Sequence, residues 1–215
     1  MQASRLRDGV RAALPLAFPM ILFGASFGFL AVDAGMGPLG AVAMSATTFA
    51  GSAQFAAASI LDTGGGVAAA ITAAILLNAR YVPLSVAVAS IFPGSRARRL
   101  VESQLIVDES WALSGRGGRF EYAVLVGAGL SFYCFWVGGT ALGTVVGDLL
   151  DPEAIGLDAA FPALFLALLV PHLRNRTAVA TALVAAAITV VLLPFAPPGV
   201  PIVAASLACL LGLRR

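Results

Sequence analysis

The sequence predicts an all-α membrane protein, a polytopic bundle of about six or seven transmembrane helices. Of its 215 residues, 60% are hydrophobic and only 11% are charged, whereas a soluble domain carries about 25% charged residues. The hydrophobic residues form long stretches, and a helix needs about 20 of them to cross a bilayer. All thirteen basic residues are arginines, and with one exception they lie outside these stretches. This distribution is typical of charge that flanks a membrane and does not indicate nucleic-acid binding.

The elements follow from where the apolar stretches begin and end. Residues 1–13 contain three arginines and are expected to form an interfacial lead-in to the first segment. A polar stretch at 93–121 begins with Pro93, which cannot continue a helix. The predicted apolar segments are 14–33, 40–61, 67–92, 122–147, 157–173, 177–194 and 199–213. We expect the whole chain, 1–215, to form one integral membrane domain.

The loop charges predict the orientation of the bundle. The stretch at 93–121 and the loop at Arg174 and Arg176 are basic, whereas the loop at 148–156 is acidic. Because basic loops remain in the cytoplasm, 93–121 and the C-terminus are predicted to be cytoplasmic and 148–156 external. Three crossings before residue 93 would put the N-terminal arginines outside, against this rule. Either the N-terminus is outside, or one early segment is re-entrant or broken.

The segment at 40–61 is the best candidate for the broken one, because it carries polar residues on two faces. In a continuous helix Thr48 and Ser52 share one face, and Gly51 and Gln54 share the other. A break near Gly51 would turn both faces to one cavity. It would also aim the free N–H groups of the second half-helix at an anion such as a carboxylate. Alternatively, these residues only allow close helix packing, with Gln54 as an interhelical hydrogen-bonding contact.

The segment at 67–92 is interrupted by Asn78, Arg80 and Tyr81. A cation at mid-membrane costs about 2.5–3.5 kcal/mol on insertion scales, so Arg80 is expected to face protein, water or a ligand. Asn78 and Tyr81 share one helical face, and Arg80 points away from it. Pro83 removes a backbone hydrogen bond and predicts a kink. Three roles remain open for Arg80: capping a broken helix or pairing with an acid, contacting a bound carboxylate, or snorkelling to the interface.

Glycines recur at four-residue spacing in two segments, Gly24 and Gly28 in the first and Gly139 and Gly143 in the fourth. Such spacing lets helix backbones approach closely and predicts a tightly packed bundle. The sequence has a single histidine, His172, and lacks Gly-x-Ser-x-Gly and Walker runs. We therefore predict no catalytic residue, metal site or cofactor.

Acidic residues lie near the ends of the apolar segments and not at their centres. A carboxylate relay at mid-membrane is therefore not indicated. Among the acidic residues, Asp108, Glu109 and Asp158 are the candidates for energy coupling. The alternative for Asp108 and Glu109 is a solvated cytoplasmic helix face.

Five blocks of residues follow one another along the chain: 49–55 (FAGSAQF), 78–81 (NARY), 108–109 (DE, before an aromatic residue), 156–158 (GLD) and 161–165 (FPALF). In order and over nearly the whole chain, they resemble the AzlC family of branched-chain amino acid permeases. Two positions depart from the pattern expected of the family: Ala79 stands in place of a leucine, and Val107 in place of a common threonine. Neither changes a charged position.

The resemblance implies a multi-pass secondary transporter of the inner membrane that exports branched-chain or similar neutral amino acids. It also implies a small AzlD-type membrane subunit as partner and no ATPase. Membrane lipid surrounds such a protein. The alternative is a channel-like pore or a scaffolding subunit, whereas no motif indicates an enzyme. The residues expected to bind substrate are Thr48, Gly51, Ser52, Gln54, Asn78, Arg80 and Tyr81.

Overall fold

The computed structural model describes residues 2–62, 64, 66–146, 166, 169–170, 173–196 and 200–208, and these are mostly helical. A two-stranded antiparallel hairpin pairs Gly115 with Phe120 and Arg116 with Arg119. The elements are α1 (Gln2–Ala13), α2 (Ala17–Asp33), α3 (Gly37–Thr48), α4 (Gly51–Asp62), α5 (Val67–Asn78), α6 (Tyr81–Val88), α7 (Arg96–Ser103), α8 (Asp108–Ser114), β1 (Gly115–Arg116), β2 (Arg119–Phe120), α9 (Tyr122–Val146), α10 (Arg176–Leu192) and α11 (Val200–Ser206), with short 3₁₀ turns at Leu14–Leu16 and Ala89–Ile91.

Among the residues that the structure describes, three helical stretches are long and apolar enough to cross a membrane: Arg5–Asp33, Val67–Ile91 and Tyr122–Val145. Helix α10 is apolar but shorter. The prediction of a multi-pass helical membrane protein is confirmed. The count of six or seven spans stays a prediction, since most of the segment at 157–173 lies outside the described residues.

Helices α2 and α9 pack in parallel with their backbones in close contact. Gly24 faces the α9 backbone near Trp136, and Gly28 faces it near Thr140, one turn further along. In return, Gly143 faces the α2 backbone. A Cβ atom at any of these glycines would overlap the facing backbone, so the tight packing predicted from the glycine spacing is present, and the structure shows that it joins α2 to α9.

The N-terminus lies at the same end of the bundle as residues 93–121, which we call the basic end. Helix α1 packs on the first half of α9, where Gly127 faces the backbone carbonyl of Leu6. Arg5 forms a 3.1 Å ion pair with Glu121. The sequence predicted a lead-in at 1–13, and the structure continues these residues into the bundle as a packed helix.

Helices α3 and α4 form a hairpin that folds back at Phe49 and Ala50. Gln54 Nε2 donates to Ser45 Oγ at 2.8 Å, although the same residues would lie about 13 Å apart along a continuous helix. Phe49 has a φ of +42°, in the left-handed region that costs a non-glycine residue energy and ends a helix. The predicted break near Gly51 is present.

This hairpin accounts for the orientation problem in the sequence. Helix α2 carries the chain away from the basic end, and Phe92 is back at that end, with its ring 5.6 Å from that of Tyr122. The single passage at Val67–Ile91 makes this return. The pair α3–α4 therefore enters and leaves from the opposite end, and the N-terminus shares a side with 93–121.

The third apolar segment is interrupted just before Pro83. Helix α5 ends at Asn78 and α6 begins at Tyr81. Pro83 has no N–H to donate to the carbonyl of Ala79, so the hydrogen-bond ladder is lost there. The predicted kink thus places Arg80 at the junction of two helices.

The polar stretch at 93–121 is folded, although the sequence predicted a loop there. It contains α7, α8 and the β-hairpin. Ser95 caps α7, because its side chain accepts a hydrogen bond from the Arg98 N–H. Helix α8 is anchored by Ser110, whose hydroxyl accepts from the Val107 N–H at 3.0 Å. This folding brings Asp108 and Glu109 against the bundle.

Candidate functional site

A small cavity lies where the α3–α4 turn, the α5–α6 junction and α8 meet. Its volume is about 30 Å³, room for about two water molecules. A neutral amino acid is several times larger, so this conformation is closed. The lining residues are Met20, Phe49, Gly51, Ser52, Arg80, Tyr81, Val107, Asp108, Glu109, Phe132 and Trp136.

Arg80 is paired with Asp108 across this cavity. Its Nη2 atom lies 2.9 Å from Asp108 Oδ2, and the two side chains are only 19% and 22% exposed. The same nitrogen donates to the Tyr81 hydroxyl at 3.2 Å, and the guanidinium carbon lies 5.1 Å from the Tyr81 ring centroid. Of the roles open for Arg80, the structure shows pairing with an acid, which explains how an apolar segment holds a cation.

Glu109 is almost fully enclosed beside this ion pair, with 7% of its surface exposed. Burial, followed by the negative charge of Asp108, raises the pKa of Glu109 to about 7. Burial also raises the pKa of Asp108, against the opposing effect of the Arg80 charge. The alternative of a solvated helix face for Asp108 and Glu109 is wrong, because α8 packs inward. Burial and the neighbouring carboxylate therefore both favour the protonated form of Glu109.

The turn between α3 and α4 presents backbone to the cavity at Gly51. A Cβ atom there would lie 2.8 Å from Cη2 of Trp136, closer than side-chain carbons pack. Any side chain at this position would therefore require the indole or the turn to shift. The first N–H groups of α4 have no intrahelical acceptor because a helix start leaves them free.

Gln54 lies behind the cavity and not in its wall, as the centre of a buried hydrogen-bond network. Its Oε1 accepts from Trp136 Nε1 at 3.0 Å and from the Ala50 N–H at 3.1 Å. Its Nε2 donates to Ser45 Oγ, which lies 2.7 Å from Thr140 Oγ1. The network fastens both arms of the hairpin to α9, the packing role that the sequence left open for Gln54.

The structure divides the other predicted substrate residues between two places. Ser52 lines the cavity, and its hydroxyl is buried with no hydrogen-bond partner among the described residues. Thr48 and Asn78 line a separate, mainly apolar groove of about 680 Å³ formed mainly by α3, α4 and α5. Asn78 Oδ1 is likewise buried, and the described part of the chain offers it no hydrogen-bond partner. Asp158 lies outside the described residues.

Sequence reasoning missed several walls of the cavity: Met20, Val107, Phe132 and Trp136. A signal was available for Trp136, because an indole N–H inside an apolar segment needs an acceptor. Phe55 packs behind Trp136, with ring centroids 6.5 Å apart, and does not line the cavity. Phe49 lines the cavity and packs edge-on against Tyr133.

Comparisons with known proteins agree with the resemblance seen in the sequence. The family model described as AzlC protein matches residues 15–150. An uncharacterized membrane protein of Archaeoglobus fulgidus is 33% identical, over 81% of this chain and 79% of its own. The branched-chain amino acid transport protein AzlC of Bacillus subtilis is 24% identical, over 78% and 69%. The inner membrane protein YgaZ of Escherichia coli is 26% identical, over 79% and 74%. No solved structure matches. Because the family model covers more than half of the chain, the chain belongs to the AzlC family.

Proposed function

We propose that this protein is a secondary transporter that exports branched-chain or related neutral amino acids across the cell inner membrane. The observation that carries the proposal is the Arg80–Asp108 ion pair beside Glu109, held at a broken helix inside an apolar bundle. Charged groups in such a place mark substrate or ion pathways. The substrate class is taken from the name of the Bacillus subtilis relative.

The cavity supplies groups of both signs for a zwitterion. The free N–H groups that begin α4, at Gly51 and Ser52, suit a carboxylate. Asp108 and Glu109 suit the ammonium group, and the rings of Phe49 and Trp136 suit an apolar side chain. Arg80 is held by Asp108 in the closed conformation. A substrate that displaces this pairing would take its carboxylate to Arg80 and its ammonium group to Asp108.

Transport requires the closed cavity to widen toward each side in turn. The α3–α4 hairpin is the element placed to move, because it does not cross the bundle and turns at a strained residue, Phe49. Its movement would break the hydrogen bonds that Gln54 and Ser45 make with α9. Glu109 would exchange a proton with the cytoplasm as the site opens, and it is the leading coupling candidate, with Asp108. Asp158 is a third candidate on sequence grounds.

The topology that accompanies this proposal follows the positive-inside rule. The basic end, with the N-terminus and 93–121, is cytoplasmic, and the loop at 148–156 is external. The full chain then forms one transport domain with about six or seven embedded segments, one of which is the α3–α4 hairpin. A small AzlD-type membrane subunit is the proposed partner.

Counterflow of labelled leucine in proteoliposomes tests the proposal, with and without a co-encoded small membrane protein. Saturable exchange is expected of a transporter, whereas a pore or a scaffolding subunit gives none. Leucine, isoleucine, valine and methionine should compete within about two orders of magnitude, because one methylene is worth only about 1–3 kcal/mol. Isoamylamine, which lacks the carboxylate, should compete hardly at all. Equal competition by isoamylamine would refute the carboxylate site.

A further inference from the structure

A second set of charged residues lies at the basic end, away from the cavity just described. It lines a groove of about 570 Å³ between α8, the β-hairpin and the residues before α10. Of the described residues that line it, three are basic and none is acidic. We call it the arginine groove, and its principal residues are Trp111, Arg116, Arg119, Phe120, Arg174 and Asn175.

The β-hairpin holds two of these arginines side by side. Arg116 and Arg119 are directly opposite in the ladder. Gly117 and Gly118, with φ values of +57° and +78°, form the two-residue turn that this pairing requires. Like charges directly opposite one another destabilise a strand pair. An anion bound between the two guanidinium groups would remove this repulsion.

The floor of the groove is aromatic. The rings of Trp111 and Phe120 lie 5.0 Å apart, tilted by 47°. Helices α9 and α10 both begin beside the groove, at Tyr122 and Arg176. It therefore lies where apolar helices emerge, the level of lipid headgroups, and tryptophan is enriched at that level.

We propose that the arginine groove binds a phosphate-bearing anion between Arg116, Arg119 and Arg174. Guanidinium groups bind phosphate oxygens through paired, charge-assisted hydrogen bonds. The source is either the headgroup of an anionic phospholipid or free phosphate. Because Trp111 shares α8 with Asp108 and Glu109, a bound anion holds the helix that carries the acidic side of the cavity. The proposal does not depend on what the protein transports.

Tryptophan fluorescence of the purified full chain tests this, since Trp111 lies in the groove. The titrants are short-chain phosphatidylglycerol, short-chain phosphatidylcholine and inorganic phosphate, each added to a Trp136→Phe background. The test variant replaces Arg116, Arg119 and Arg174 by Gln. The matched control replaces three exposed arginines outside the groove by Gln, namely Arg7, Arg11 and Arg96.

Saturable binding of phosphatidylglycerol is expected for the parent and the control. The test variant should bind at least about tenfold more weakly, because it loses several charge-assisted hydrogen bonds. Equal saturation by inorganic phosphate would assign the groove to free phosphate. Equal binding of phosphatidylcholine and phosphatidylglycerol, or an unchanged affinity in the test variant, would overturn the proposal. Native mass spectrometry of chains that retain Trp136 gives the same comparison should the Trp136→Phe background not fold.

Discussion

Removing one member of the Arg80–Asp108 ion pair should destabilise the protein more than removing both. Each side chain keeps about a fifth of its exposure, 19% and 22%. Leaving one charge of a buried pair without its partner costs about 3–5 kcal/mol. Because each side chain keeps some exposure to solvent, we expect Arg80→Met or Asp108→Leu to lower the free energy of unfolding by about 3 kcal/mol, near the lower limit of this range. In a chain of this size that corresponds to a loss of about 6–12 °C in apparent melting temperature.

The double variant Arg80→Met/Asp108→Leu leaves no buried charge from this pair and should recover at least half of the loss. The measurement is thermal unfolding of the four forms in one detergent, followed by tryptophan fluorescence. The control is a parallel cycle on Arg5 and Glu121, whose side chains are 52% and 31% exposed and whose interaction should be worth about 0–1 kcal/mol. Additive losses in the Arg80–Asp108 cycle would refute the coupling.

Counterflow of leucine separates a structural role from a transport role. Both single variants and the double variant should lack exchange, because the proposed site needs a cation and an acid at these positions. The Arg5 and Glu121 variants should retain it. A double variant that regained both stability and leucine exchange would show that the ion pair has only a structural role.

Three further predictions concern the turn, the buried carboxyl group and the topology. Gly51→Val should abolish transport and Gly51→Ala should weaken it, because the added carbon would lie 2.8 Å from the Trp136 indole. Adding Trp136→Phe to Gly51→Ala should restore part of the transport activity. No gain in activity would show that this clash is not the cause. The pKa of Glu109 is raised to about 7 from an ordinary 4.5, so the folded state binds this proton more tightly than the unfolded state. The free energy of unfolding should therefore fall as pH rises from 4.5 through 7. Glu109→Gln should reduce this pH dependence of the melting temperature, and an unchanged pH dependence would contradict the assignment. In a variant without native cysteines, Gly66→Cys should react with an impermeant thiol reagent in whole cells and Asp8→Cys should not; the reverse pattern would invert the orientation.

Local patterns in the sequence were enough for features that depend on neighbouring residues. A break near Gly51 was one of two interpretations of polar residues on two faces of one segment, and the structure shows it at Phe49, which adopts a left-handed conformation. The kink at Pro83 followed from a missing N–H. Close helix packing followed from the spacing of glycines, since only a residue without Cβ admits a facing backbone, whereas the structure shows that the packed pair is α2 and α9.

Other assignments needed contacts between residues far apart in the chain. Thr48 and Ser52 were expected to act together, but the hairpin turns them to different cavities. The sequence left two roles open for Gln54, contact with substrate or helix packing, and only the structure shows it hydrogen-bonded to Trp136 and Ser45. Helical periodicity assumes a straight axis, and the turn at Phe49 changes the direction of every side chain beyond it.

The sequence by itself determined that this is a helical membrane protein with a costly cation inside an apolar segment, and it left a broken helix near Gly51 as one of two interpretations. Apolar length and charge placement carry that information residue by residue. Only the tertiary structure decided which acidic residue neutralises the charge of Arg80, because Asp108 lies in a polar stretch that the sequence alone suggests is exposed to solvent. Only the packing of α8 against α9 buries Glu109 and brings Asp108 to 2.9 Å from Arg80. The free energy that favours this ion pair and offsets the desolvation of its groups comes from contacts between segments that are distant in the sequence. A local sequence pattern therefore does not predict it.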